Sequence, residues 1–195
     1  MDNRTAILNC ALELFAARGY DAVGVQEIVE AAGITKPTLY HYFGSKQGLL
    51  KTLVDGYAEP FYQAVSQAAD YHPSNPWGRG DLPGTLTALA RAYFKFAVEN
   101  PVYYRLQLAF YFAPSHSEAY QAVAWHNERQ YQLVAGVFQA AVVQHGNMRG
   151  RHRLYAATFI GMLNTCIGLW LNGYGALDEA LVQRAVHQFQ HGIYS

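Results

Sequence analysis

Glycines at 19, 33 and 44 cut the first fifty residues into three pieces too short for independent helices. Each piece nevertheless carries helical signals. In residues 4 to 18 the stripe Ile7, Leu8, Ala11, Leu12 and Phe15 recurs on a period near 3.6, and Gly19 follows as a C-terminal stop. "VQEIVEAA" (25 to 32) is a second short helix, with Gly24 at its N-cap, Glu27 three residues on as a weakened capping box, and Gly33 as its end. Thr35 is an N-cap candidate for a third, in which Pro37 pre-sets helical φ in the first turn. Gly44 ends that helix, and Ser45 caps a fourth that runs through Leu49, Leu50, Leu53 and Val54. Helices this short are marginal alone and gain stability only by packing on one another.

The hinge of the arrangement is Gly33. A helix-turn-helix needs a permissive residue in its turn and apolar residues where the helices cross. Ile28, Ala32, Ile34, Leu39 and Tyr42 fall at crossing positions, and Val29 adds bulk there. Residues 1 to 55 hold five basic and six acidic side chains, so the unit is not basic overall. Yet Lys36, Lys46 and Lys51 lie in a stretch free of acids, where a recognition helix would meet phosphates. In "TKPTLYHYFGSK" Leu39 and Phe43 read as core. Tyr40, His41 and Tyr42 cannot all point inward, because adjacent helical positions diverge by about 100°. The exposed part of this helix is expected to touch DNA.

Beyond Ala69 the segment "DYHPSNPWGRGDLPG" reads as the only long loop. Helices are expected at Thr85 to Glu99, Val102 to Phe112, Ser117 to Gln144, Arg151 to Asn172 and Asp178 to His191, and no segment alternates like a strand. The expected fold is all-α: a three-helix helix-turn-helix unit joined through a fourth helix to a C-terminal helical bundle. From Leu154 to Leu177 there is no charge, a length that would admit a membrane span, but Thr158, Asn164, Thr165 and Asn172 dilute it and glycines interrupt it. The favoured reading is a helix covered by protein on nearly every side. Ala157, Gly161 and Thr165, four residues apart, form a small-residue face that admits a second helix, and a second subunit, closely.

Zero formal net charge argues against a protein that coats nucleic acid or membrane indiscriminately. Two cysteines far apart make neither a disulfide framework nor a zinc site, and fit a reduced cytoplasmic compartment. No cofactor or metal is expected. His187 and His191 have i, i+4 spacing but no third ligand. No nucleophile–base pair, phosphate loop or HExxH motif supports an enzyme.

The stretch from Ile7 to about Leu53, "ILNCALELFAARGYDAVGVQEIVEAAGITKPTLYHYFGSKQGLL", resembles the tetracycline-repressor-like (TetR) family of transcriptional regulators. It covers about a quarter of the chain. The resemblance implies a helix-turn-helix domain over 1–47 and a ligand-binding and dimerisation domain over 48–195. It also implies a homodimer that leaves a palindromic double-stranded operator when a small molecule binds. Carried over by position, Lys36, Pro37 and Thr38 approach base edges, Tyr40, His41 and Tyr42 touch bases or backbone, and Lys46 contacts a phosphate. Val23 and Gly24 stand where the family often has hydroxyl residues. The last two helices would pair with their copies.

In the second part aromatic residues crowd Tyr93 to Phe112, as in a mostly apolar ligand pocket. Tyr104, Phe110, Trp125, His126, Arg129, Asn164 and Thr165 are the candidates to line it and orient an apolar or aromatic effector. The leading reading is a ligand-responsive DNA-binding regulator acting as a repressor. The alternatives are a helical-bundle enzyme, or an interaction protein that no longer binds DNA.

Overall fold

The breaks placed at Gly19, Gly33 and Gly44 each separate two helices in the computed structural model, which describes residues 2–71 and 81–192. The middle of the expected long loop, residues 72–80, lies outside the described residues. Among those described there are nine α-helices and no strand. They are α1 (Asn3–Arg18), α2 (Val25–Ala32), α3 (Lys36–Phe43), α4 (Lys46–Ala68), α5 (Leu82–Glu99), α6 (Pro101–Tyr111), α7 (Glu118–Ala141), α8 (His152–Leu171) and α9 (Glu179–His191). A 3-10 turn, Gly146–Met148, precedes α8.

Helix ends follow local chemistry. The Asp2 carboxylate accepts from the Thr5 N–H and caps α1. Glu27 reaches back to the Gly24 N–H at 2.9 Å, the half of a capping box that a glycine N-cap permits. At Gly33, φ is +65°, and the Ile34 N–H reaches the Val29 carbonyl at 2.9 Å, a left-handed C-terminal closure that favours glycine. The Ser45 hydroxyl accepts from the Gly48 N–H at 2.9 Å, the bond expected of an N-cap serine.

Some boundaries move. Helix α5 starts at Leu82, three residues before the expected Thr85, because Asp81 caps it and Pro83 sits in its first turn. Helix α7 ends at Ala141, before the expected Gln144, because its last carbonyls take i→i+3 bonds from Val142, Val143 and Gln144. The 47/48 division falls inside a continuous α4, so no linker separates the helix-turn-helix from the remainder of the chain.

The chain forms two compact units. The first comprises residues 1–60 and 100–126. Here α1 packs on α2, α3 and α6. Its core holds Ile7, Phe15, Ile28, Leu39, Leu49, Leu50, Tyr103 and Tyr104. The second comprises residues 61–99 and 127–195, with α5 packed on α8 and α9. Phe61, Tyr93, Phe138, Phe159 and Ile167 are buried in it. Phe61 stacks on Phe96 at 4.2 Å and meets Tyr93 edge-on at 4.9 Å.

Within the single chain α8 is covered along one side, and the side expected to meet a second subunit is open. Ala156, Phe159, Leu163 and Ile167 form one buried stripe, while Ala157, Thr158, Gly161, Thr165 and Leu169 are exposed in the single chain. By length and composition alone it is apolar enough to cross a membrane. Thr158 and Thr165 return their hydroxyls to carbonyls of the preceding turn, which satisfies them on an apolar helix.

Candidate nucleic-acid interface

Helix α3 is held from one side only. Leu39 is fully buried and Phe43 nearly so, four residues apart, and they fix the helix against the core of the first unit. The opposite face is open. Lys36, Pro37, Tyr40, His41 and Tyr42 are exposed, with Tyr40 at 45% and Tyr42 at 42%. Tyr42 sits at a crossing position in sequence, yet it projects outward, its ring 5.4 Å from His41 and 6.1 Å from the buried Phe43. Exposed tyrosines offer apolar rings and hydroxyls suited to sugar, phosphate and base edges. Thr35 occupies the N-cap of α3 without bonding its amides, because its hydroxyl pairs with that of Thr38 at 2.9 Å.

The lysines are deployed unequally. Lys36 has no ion-pair partner among the described residues. Lys51 pairs with Asp55 at 2.5 Å. Lys46 donates to the Tyr20 carbonyl at 2.7 Å, and its ammonium lies 4.0 Å from the centroid of the Tyr20 ring. Burial lowers the Lys46 pKa, and the nearby carboxylates of Asp21, Glu118 and Glu27 oppose that shift. The acid-free stretch in sequence is therefore less cationic in space, since partners come from outside it. Arg18 pairs with Glu27, and Arg4 lies 5.9 Å over the Phe43 ring.

Sequence reasoning missed the anchor of this arrangement. Tyr20, between α1 and α2, is 4% exposed, and its hydroxyl donates to the Glu118 carboxylate at the start of α7. Burial first, and then the Glu118 bond, push the tyrosine pKa up. A second link joins α4 to α7: the His126 Nε2 and an Asp55 oxygen are 2.8 Å apart. Burial raises the Asp55 pKa, but bonds from Lys51 and His126 outweigh it and leave the carboxyl below its usual range. No local signal marks either pair, as 98 and 71 residues separate the partners.

The seven candidate effector residues are divided between the two units. Tyr104 and Phe110 are core of the first unit, and His126 is engaged by Asp55. Trp125 is 66% exposed on an outward face of α7. In the second unit Arg129 lies over the Tyr62 ring at 3.7 Å, Asn164 is half-buried, and Thr165 is exposed. A cavity of about 620 Å³ lies elsewhere in that unit, lined by α5, the ends of α7 and α9, the 3-10 turn and α8, and it includes none of the seven. The expected dimer-face residues Ala157, Gly161 and Thr165 share one exposed stripe of α8.

A glycine-hinged helix pair with an exposed, aromatic second helix on an all-helical scaffold defines a helix-turn-helix DNA-binding regulator. Comparison with known proteins agrees. Residues 7–53 match the family model for bacterial regulatory proteins of the tetR family. The chain is 26% identical to the HTH-type transcriptional activator FasR of Mycolicibacterium smegmatis, over 98% of this chain and 82% of that protein. It is 41% identical to the HTH-type transcriptional repressor ComR of Escherichia coli over 59 residues, 30% of this chain and 28% of that protein. The crystal structure of the TetR family transcriptional regulator PfmR of Thermus thermophilus superposes with a TM-score of 0.75 at 23% identity, covering 100% of this chain and 99% of the other. Over residues 7–53 the chain thus matches the DNA-binding region of the tetR family, and over its whole length it is similar in fold to a TetR family regulator.

Proposed function

We propose that this regulator is a homodimer that binds a palindromic operator through α3 and leaves it when a small apolar or aromatic molecule binds the second unit, acting as a cytoplasmic repressor without enzymatic activity. The observation that carries the reading is the division of α3 into a buried edge, Leu39 and Phe43, and an exposed face, Lys36, Tyr40, His41 and Tyr42. Lys36, Pro37 and Thr38 lead this helix into the major groove, and Tyr40, His41 and Tyr42 follow it along the backbone. Lys46 takes a phosphate through the part of its ammonium that Tyr20 leaves exposed. Two such helices read half-sites about 34 to 36 Å apart. The exposed stripe Ala157, Gly161 and Thr165 supports pairing through α8 and α9, because a small-residue face admits a second helix at close range. Effector binding then shifts the population toward dimers whose spacing no longer fits.

The test is selection from random duplex DNA, followed by affinity measurements across salt concentrations. The expected result is an inverted repeat whose affinity falls steeply with salt, in proportion to the phosphates contacted. Recovery of sequences without two-fold symmetry would overturn the reading.

A further inference from the structure

We infer that the effector site is the cavity at the start of α5, and that it takes a small, flat, largely apolar molecule carrying one hydrogen-bonding group. This deepens the effector part of the proposed function and rests on it. Three observations carry it.

The cavity, about 620 Å³, falls within the size range of small-molecule sites, roughly 300 to 1,000 Å³. Its floor is apolar and solvent-shielded: Leu82 and Leu86 of α5 and Phe138 of α7 are all buried. Its walls include Tyr155 of α8 and Phe189 of α9, whose rings stand 5.7 and 5.8 Å from that of Phe138. Three rings around one space suit the faces and edges of a flat guest.

Asp81, His145, Gln190 and His191 are the polar and charged residues of the lining, and His145 is the one with an unpaired buried ring nitrogen. It lines the cavity just before the 3-10 turn, and its Nε2 is buried without a hydrogen-bond partner among the described residues. Buried polar atoms are normally satisfied, so an orphan ring nitrogen beside an apolar cavity matches a ligand that brings a hydroxyl or carbonyl. A mostly apolar space with a few placed polar groups is the usual composition of a specific pocket. The lining residues all belong to the second unit, so a guest here bears directly on α8 and α9, the helices proposed for the dimer face.

The probe is 1-naphthol, with naphthalene as the partner lacking the hydroxyl, titrated calorimetrically into the full chain. We expect one site per chain. Met148→Trp, which fills the cavity from the 3-10 turn, weakens 1-naphthol by at least about tenfold. His145→Leu weakens 1-naphthol by about fivefold or more and leaves naphthalene within about twofold, because only the hydroxyl loses its partner. Should Met148→Trp fail to fold, methyl NMR on the unaltered chain locates the probe, with shifts expected at Leu82, Leu86 and Met148. Absence of binding up to about 1 mM, methyl shifts centred elsewhere, or a folded Met148→Trp that binds normally would each overturn the assignment. Binding of the selected DNA, measured on the same sample, separates the two readings. Retained DNA binding without the cavity result sinks this site alone, whereas failure to bind DNA sinks the regulator reading and leaves the cavity result standing.

Discussion

The ammonium of Lys46 lies 4.0 Å from the centre of the Tyr20 ring and donates to the Tyr20 carbonyl at 2.7 Å. Tyr20 in turn donates its hydroxyl to Glu118. The start of α4, the turn after α1 and the start of α7 are thereby joined by one tyrosine. Lys46→Ala removes a charge-assisted bond and a cation–π contact together, so a loss of about 1 to 3 kcal/mol is expected in urea unfolding. Affinity for the selected DNA should also fall, with a shallower salt slope. Unchanged stability would show that the Tyr20 contact contributes nothing.

Tyr20→Phe isolates the hydroxyl. The ring and its contact with Lys46 remain, while the Glu118 carboxylate loses its donor. The expected cost is about 1 kcal/mol, and Tyr20→Phe combined with Glu118→Gln should cost less than the sum of the two. Additive effects in the double-mutant cycle would show that the pair is not coupled.

Tyr42 separates surface from core. Because it is 42% exposed, Tyr42→Ala should change unfolding stability by no more than about 1 kcal/mol while weakening DNA binding at least about fivefold. Leu39→Ala, by contrast, empties a fully buried site and should cost about 2 to 5 kcal/mol.

Gly161 tests the α8 face. A Cβ added there meets nothing within 4 Å in the single chain, so Gly161→Leu should leave helicity intact. Light scattering should nevertheless show a shift toward monomer, since the small-residue stripe no longer admits a close partner. An unchanged mass would argue against dimerisation through this face.

Arg91 and Glu179 give a pH signature in the second unit. Arg91 bonds both carboxylate oxygens, with its Nε 2.9 Å from one, and the Arg91 bond, aided by Gln183, lowers the Glu179 pKa to about 2. A depressed carboxylate pKa contributes stability above its unfolded value, near 4.5, and loses it as pH falls through the folded value. Glu179→Gln should therefore lower Tm at pH 7, and the difference from the unaltered chain should shrink between about pH 4.5 and 2. A difference constant over that window would show that the pair does not act through ionisation.

The helix-turn-helix was legible in the amino-acid sequence because its signals are local. Gly33 supplies the left-handed turn, Ser45 caps α4, and Leu39 and Phe43 lie four residues apart and so share a face. The exposure of Tyr40 and His41 follows from the same geometry. Features that depend on partners far apart in the chain emerge only in three dimensions. Lys46 and Lys51 look alike in a charge map, yet one is turned onto Tyr20 and the other onto Asp55. Among the seven aromatic and polar candidates for an effector site, Tyr104 is buried and Trp125 exposed, a difference set by the neighbours each helix meets. His145 carries no motif, and its orphan nitrogen is defined by burial alone. Local backbone chemistry is written in neighbouring residues, whereas burial and charge pairing are settled only when distant helices meet.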